Sequence, residues 1–312
     1  MSTWSLYISL PSRPWKRLQR TRICWTPWPC CSSRYLIWAT LDTLGKTSLL
    51  DILLPLYLLT PYSRYGYWFR EFPGPFVGDA HSGYTHGFWT IGKDQKTAEK
   101  AWEPVKKKLS KFENRLFISS TFKTYDGYWS FYDAESGLYD PAGDTAILTS
   151  RLIDRKALSD SEKLRDKITT ISGEPGQVVS NVILLVSGGQ VFEDKKDKTS
   201  GLLPAWRNSH FAIVSGSGLA SKTATFEERR AANDATTYIR GKALKELAPH
   251  TGGYMNEGDR HDPEWKKTFY GCHYKKHLRT KEKYDPERLF YCPTCVGSEA
   301  FVDRPDGALC RV

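Results

Sequence analysis

At 312 residues, with 26% charged and 40% hydrophobic side chains and a mean hydropathy of −0.51, the chain has the balance of a folded globular protein of about two domains, not of a disordered or fibrous one. No apolar run approaches the about 20 residues that a spanning helix needs, so an integral membrane protein is not expected. The net charge of +10 is concentrated: residues 1–70 hold nine Lys/Arg against two acids and residues 71–312 hold 36 against 33, so the bulk offers no track for a phosphate backbone and a nucleic-acid partner is not expected either.

The first seventy residues read differently from the rest. Six of the eleven Trp lie at or before Trp68, and no acid precedes Asp42. Pro11, Pro14, Pro27 and Pro29 oppose an amphipathic transit helix. No uninterrupted apolar core with a small-residue cleavage site marks a secretory signal. Local pattern and global fold agree in natural sequences, and here they do not. Residues 1–70 are therefore expected to be an atypical leader, disordered or not a genuine translated segment.

From about Trp68 onward the pattern is that of a folded protein. Tyr84–Gly92 is aromatic and β-branched, a strand. Lys96–Phe112 carries Ala98, Trp102, Val105 and Leu109 at helical spacing, an amphipathic helix interrupted by Pro104. Leu116–Tyr125 and Thr145–Ile153 read as strands. Ser159 with Glu162 predicts a capping box opening a helix to about Ile171. Val178–Val186 is a buried strand stopped by Gly188-Gly189, and Phe211–Ser215 is another. Thr225 with Glu228 predicts a second capping box and a long helix to about Leu247, with Phe226, Ala232, Ala235, Ile239, Ala243 and Leu247 mostly on one face. The expected fold class is α+β, an antiparallel sheet with helices on one face, over residues 71–250. A C-terminal unit spans 251–301 and a tail 302–312.

That C-terminal unit carries a recognisable pattern: Tyr254-x-Asn256-Glu257-x-Asp259, then Trp265, Gly271, Tyr274, Leu278, Lys281, Asp285-Pro286 and Phe290, then Cys292-Pro293-x-Cys295-Val296-Gly297-Ser298-Glu299. Upstream stand Ser150-Arg151-Leu152-Ile153, Gly188-Gly189 and Pro204-Ala205-Trp206-Arg207. In this order the pieces resemble the berberine-bridge-enzyme-like, oxygen-dependent FAD-linked oxidoreductases, and their fungal branch in particular, over roughly residues 85–312. The resemblance implies a middle antiparallel sheet roofing a substrate site and a C-terminal segment packed on a flavin module. It implies FAD as cofactor, and a small organic substrate and oxygen as partners, plausible chemistry for fungal secondary metabolism. The chain contains no Arg-Ser-Gly-Gly-His loop and no Gly-rich pyrophosphate loop, so a second reading stands beside the first: a truncated, non-catalytic remnant or binding module unable to hold FAD.

The motif pieces supply the candidate site residues. Tyr254 and Asn256 alternate on one side of a segment expected to be extended. The resemblance turns that face to flavin and substrate, and an Asn amide, donor and acceptor at once, suits a flavin edge. Glu257 takes the position where plant relatives often carry a Tyr general base; a carboxylate buried beside flavin has a raised pKa and can accept a proton. A solvent-facing Glu beside Asp259 is the alternative. The resemblance also puts a flavin contact at His273, where the family usually has Asn. Trp206 and Arg207 are candidates for a substrate wall, Arg as a binder of anions, the alternative being a Trp packed on the sheet. His273, His277, Cys292 and Cys295 have zinc-like spacing, but no metal is expected, because the His pair falls in the family's helix and Cys-Pro-x-Cys in its fungal tail; a 292–295 disulfide is an open alternative. Trp265, Phe269, Tyr270, Tyr274, Leu278, Tyr284, Leu289, Phe290 and Tyr291 are expected to stay uncovered without a flavin module, giving a 254–301 face prone to self-association.

Overall fold

In a computed structural model, residues 2–9, 62–69, 83–90, 92, 94–112, 117–135, 146–174, 177, 179–218, 223–304 and 308–312 are described. Among them, seven strands form one sheet: β1 (Ser2–Ser9), β2 (Tyr62–Phe69), β3 (Gly83–Thr90), β4 (Phe117–Thr124), β5 (Ala146–Asp154), β6 (Val179–Leu184) and β7 (Ser209–Gly218). Their order is β4-β1-β3-β2-β6-β7-β5, and every pairing is antiparallel. The α+β antiparallel class read from the sequence holds.

Two stretches of the expected leader lie in this sheet. β1 pairs along its whole length with both β3 and β4, and β2 joins β3 to β6. Two segments of the first seventy residues therefore close the sheet. The signal was present but short: Trp4, Leu6 and Ile8 alternate at the period of a strand, and the surrounding Pro- and Arg-rich composition hid it. Residues 10–61, the rest of that leader, lie outside the described residues.

The helices form where capping and apolar spacing agree. Helix α1 (Gln95–Leu109) starts at Asp94, whose carboxylate accepts from the Thr97 N–H at 2.9 Å. Its Ala98, Trp102, Val105 and Leu109 are buried as expected, and Pro104 lies inside it. After β4 comes α2 (Tyr128–Glu135), and after β5 the short α3 (Arg155–Ser159) and then α4 (Ser161–Ser172). The α4 cap is Asp160, which accepts from Lys163 N, and not Ser159. Ser159 Oγ instead donates back to Lys156 O and closes α3. Gly188, at φ 81°, turns the chain from β6 into α5 (Gly189–Glu193).

The long C-terminal helix of this unit is three pieces: α6 (Phe226–Asp234), a π-helical stretch over Ala235–Gly241, and α7 (Lys242–Leu247). The Thr225–Glu228 capping box forms as expected. The apolar face does not. A π-turn inserts an extra residue and rotates the helix beyond it about its axis, so Thr236, Thr237 and Arg240 are buried while Ile239 is exposed; Phe226, ahead of the π-stretch at the start of α6, is exposed as well. Only Ala243 and Leu247 of the expected stripe are buried, and both belong to α7.

The sheet has two distinct faces over β5–β7. Helices α4 and α7 and the π-stretch cover one, with Ile153, Ile183, Phe211 and Ile213 buried. On the other, Leu152 and Ala212 pack with Leu203, Leu184, Ala205 and Trp206. The free edge of β5 is not left open. Leu152 N donates to Gly252 O at 2.8 Å, and Thr251 Oγ1 donates to Leu152 O at 2.6 Å. The chain at 251–254 thus runs along β5 and masks a strand edge that would otherwise invite pairing with another chain.

Candidate active site

Ser150-Arg151-Leu152 and Thr251-Gly252-Gly253-Tyr254, about a hundred residues apart, form one physical unit. Ser150 Oγ accepts from Tyr254 N at 2.9 Å and donates to Tyr254 O at 3.0 Å, so one hydroxyl holds both backbone groups of Tyr254. Arg151 is buried. Its Nε donates to Ala248 O at 2.9 Å, and its Nη2 donates to Pro249 O and Thr251 O, each at 3.2 Å. These carbonyls follow the C-terminus of α7, where a cation is favoured. Burial pulls the guanidinium below its ordinary range, against the opposing charges of Asp262 and Asp154.

From this anchor Tyr254 is held beside Trp206, ring centroids 5.3 Å apart and edge to face at 85°. The segment is not the expected strand. Residues Met255–Glu257 make a 3-10 turn, with Glu257 N donating to Tyr254 O at 3.0 Å. The turn still brings two predicted residues together, because Asn256 Nδ2 lies 3.4 Å from the Tyr254 hydroxyl. Asn256 is exposed, Tyr254 and Glu257 are half-buried. Tyr254, Asn256 and Trp206 therefore form one edge, and Glu257 closes the turn beside it.

The other two candidates are placed elsewhere. Arg207 turns back into its own loop: Nη2 donates to Asp197 Oδ2 at 2.9 Å and Ser200 Oγ at 3.3 Å, and Nη1 to Val191 O at 3.3 Å. Its fork is spent on local carboxylate, hydroxyl and carbonyl oxygens, whereas Trp206 packs on the sheet and faces Tyr254. His273 ends a 3-10 turn (Gly271–His273), its ring 6.2 Å from that of His277, and its buried Nδ1 has no hydrogen-bond partner. Cys292 and Cys295 are joined in a disulfide.

Sequence reading missed the residues that support this turn. Asp259 is buried, its Oδ2 accepting from Thr237 Oγ1 at 2.6 Å and its Oδ1 from His261 N at 2.8 Å. The π-stretch delivers Thr237 to it. Tyr270 lies on the opposite side of the turn, its hydroxyl 3.0 Å from Met255 Sδ and 3.1 Å from Thr294 O. Burial pushes that phenol up to about 12. Tyr274 donates to Glu299 at 2.6 Å and accepts from Gly297 N at 3.1 Å. Trp265, Tyr270 and Tyr274 pack edge to face, and the Tyr274 hydroxyl contacts to Gly297 and Glu299 bind the tail to helix α8 (Tyr274–Tyr284). After α8, Asp285 accepts from Lys281, Leu289 N and Phe290 N, so the Lys281, Asp285-Pro286 and Phe290 motif is a turn clamp.

The uncovered apolar face is thus smaller than expected. Phe269 and Tyr274 are buried, whereas Tyr284, Leu289 and Phe290 are 73%, 78% and 80% exposed.

Burial raises the Asp259 pKa above its ordinary 3.8, the Thr237 and His261 hydrogen bonds pulling the other way. A group raised in the folded state contributes stability that is complete below pH 3.8 and is lost as pH rises through the folded value. Asp259→Asn loses one acceptor at every pH but has no charge to bury. Urea unfolding from about pH 4 to about pH 7 should therefore show the variant gaining on the parent as pH rises. Parallel pH profiles would show that burial does not govern this carboxyl.

An antiparallel sheet whose edge strand is bound by a C-terminal aromatic turn matches part of the VAO-type flavoprotein fold. The chain superposes over its full length on the VAO-type flavoprotein MtVAO713 from Myceliophthora thermophila C1, with a TM-score of 0.82 and 50% identity, covering 50% of that chain. Physcomitrella patens BBE-like 1, at 12% identity and a TM-score of 0.55, shares the fold. Residues 253–297 match the family described as Berberine and berberine like. FAD-linked oxidoreductase hmp9 of Hypomyces subiculosus is 50% identical over 250 residues, 80% of this chain and 40% of that protein. FAD-linked oxidoreductase apf9 of Gibberella fujikuroi is 32% identical over 84% of this chain and 46% of that protein. The chain is similar to these FAD-linked oxidoreductases and carries the berberine-like pattern over residues 253–297, and it spans less than half the length of these two curated relatives.

Among the described residues no helix is long and apolar enough to cross a membrane.

Proposed function

We propose that the chain forms the substrate roof and one flavin edge of an FAD-linked oxidoreductase acting on a small organic substrate, in fungal secondary metabolism. The observation that supports this best is the Ser150–Tyr254 clamp, which sets Tyr254, Asn256 and Trp206 on one edge. The donor set fits the rim of an isoalloxazine ring: an amide that donates and accepts, a phenol, and an indole wall. It does not fit the pyrophosphate arm, for which the described residues of this site supply no cradle. FAD, held along this edge, would supply the hydride-accepting and oxygen-reactive chemistry. Tyr254 and Asn256 orient the ring edge and substrate, Trp206 excludes water from one side, and Glu257 accepts the proton from the substrate hydroxyl at a carboxylate oxygen. The buried Nδ1 of His273, without a hydrogen-bond partner, supports reading this residue as a further cofactor contact.

Exposed Tyr284, Leu289 and Phe290 support the covering of this face in the complete enzyme, and self-association of the chain when they are uncovered. The test joins residues 1–312 to the flavin-binding half of a full-length relative. The fusion should elute from gel filtration as a yellow monomer and the chain alone as a colourless oligomer. Glu257→Gln in the fusion should keep the colour and slow flavin reduction by about 10²- to 10⁴-fold. A colourless fusion refutes the cofactor assignment, and unchanged reduction by the Gln variant refutes the base.

A further inference from the structure

We propose that the Cys292–Cys295 disulfide is a thiol-exchange site that controls how firmly the 254–257 turn is held, with Tyr270 as the transmitting residue. Three observations meet there. The disulfide closes a loop in which Cys295 N donates to Cys292 O at 3.1 Å and Thr294 sits at φ 60°. A β-branched residue takes that left-handed conformation only where its surroundings enforce it. The surroundings are the disulfide and Tyr270, whose hydroxyl lies 3.1 Å from the carbonyl oxygen of Thr294, the residue before Cys295.

The same hydroxyl is 3.0 Å from Sδ of Met255, the first residue of the turn that follows Tyr254 and contains Asn256. One phenol thus touches the disulfide loop and the turn. Access is provided: both cysteines are half-exposed and face a shallow concavity lined by Lys281, Arg288, Phe290, Tyr291 and Phe301. Cationic, partly exposed surroundings favour thiolate chemistry.

The exchange is a two-electron step. A dithiol reductant attacks one sulfur as thiolate, the S–S bond breaks, and a mixed disulfide forms. The second thiol of the reductant resolves it, leaving an oxidised reductant and two protein thiols that have taken up two electrons and two protons. The opened loop lets Thr294 return to negative φ, its carbonyl leaves Tyr270, and Met255 loses the fixed side of its contact. The functional weight of this switch rests on the flavin-edge reading of the turn, but the coupling is measured without flavin or turnover.

The experiment uses residues 1–312 with other thiols first blocked by iodoacetamide. Dithiothreitol is added under native conditions, alkylation at residues 292 and 295 is counted by mass spectrometry, and amide exchange is followed over 255–258, where Glu257 N and Gly258 N close the turn. Reduction should speed that exchange by about fivefold, the scale of one lost hydrogen bond. Tyr270→Phe should give the same rise with the disulfide intact, and reducing that variant should add little more, since the two act in series. The Cys292→Ser/Cys295→Ser protein should match the reduced parent. A disulfide that resists native reduction, an exchange rate at 255–258 indifferent to reduction, or a full reduction effect surviving in Tyr270→Phe would each overturn the proposal.

Discussion

Replacing Arg151 with Met should destabilise the protein by about 3–5 kcal/mol, the range for removing one side of a buried charged contact. Met keeps most of the stem volume, so the loss reports the guanidinium. Three carbonyls, of Ala248, Pro249 and Thr251, lose their donor at once. The first of them belongs to buried Ala248, just past α7, where an unpaired oxygen carries its full desolvation cost. Arg151→Lys should recover less than half, because an ammonium cannot span three oxygens that a planar fork reaches together. Since whole domains are stable by about 5–15 kcal/mol, the Met variant should unfold at a much lower urea concentration. A midpoint shift worth under about 1 kcal/mol would show that the fork is incidental. The Lys variant guards against misreading: were Lys as damaging as Met, charge at this depth would contribute nothing without the fork's geometry.

Much of this architecture was legible because it is local. Helix α1 announces itself through Ala98, Trp102, Val105 and Leu109, and all four are buried. The Thr225–Glu228 box is a contact between near neighbours and forms as spaced. Where two local signals compete, the reading slips. Ser159 and Asp160 are adjacent cap candidates; the Asp caps α4 and the Ser closes the helix before it. The π-stretch was not legible, since periodicity arguments assume a constant turn. Its trace in the sequence is polar: Thr236, Thr237 and Arg240 stand where an α-helical face would want apolar residues, and each has a buried partner. Long-range pairings are the remaining gap. Tyr254 and Asn256 could be named as a pair, but the 3-10 turn that joins them and the Ser150 hydroxyl that fixes them, 104 residues upstream, depend on tertiary contact alone. Arg207 shows the same gap at shorter range. Its chemistry suited a substrate anion, and nothing in the order of residues says that Asp197, ten positions earlier, reaches it first.

The Gly252-Gly253 step is the place where the fold leaves no room, and Gly252→Ala should cost about 3 kcal/mol, the upper part of the range for overpacking. A methyl at 252 would collide with the Leu203 side chain and lie 2.5 Å from Thr268 O. Leucine can change rotamer, so the first collision is soft. The second is not, because the Thr268 carbonyl is already fixed by accepting from Gly253 N at 2.9 Å. The chain cannot retreat the other way either, since Gly252 O accepts from Leu152 N on β5. The glycine is thus clamped between a strand edge and the 266–270 turn, and relief requires breaking one of these bonds. The displacement should reach Tyr254, two residues on. Its amide, held by Ser150 Oγ at 2.9 Å, should lose protection against hydrogen exchange in the variant beyond what the global stability loss explains. Gly127→Ala is the control, because nothing lies within 4 Å of a methyl there, and its stability should stay within about 0.5 kcal/mol of the parent. If Gly252→Ala is as benign as the control, the close approach of 251–254 to β5 is looser than described, and the Ser150 clamp that orients Tyr254 must be looser with it.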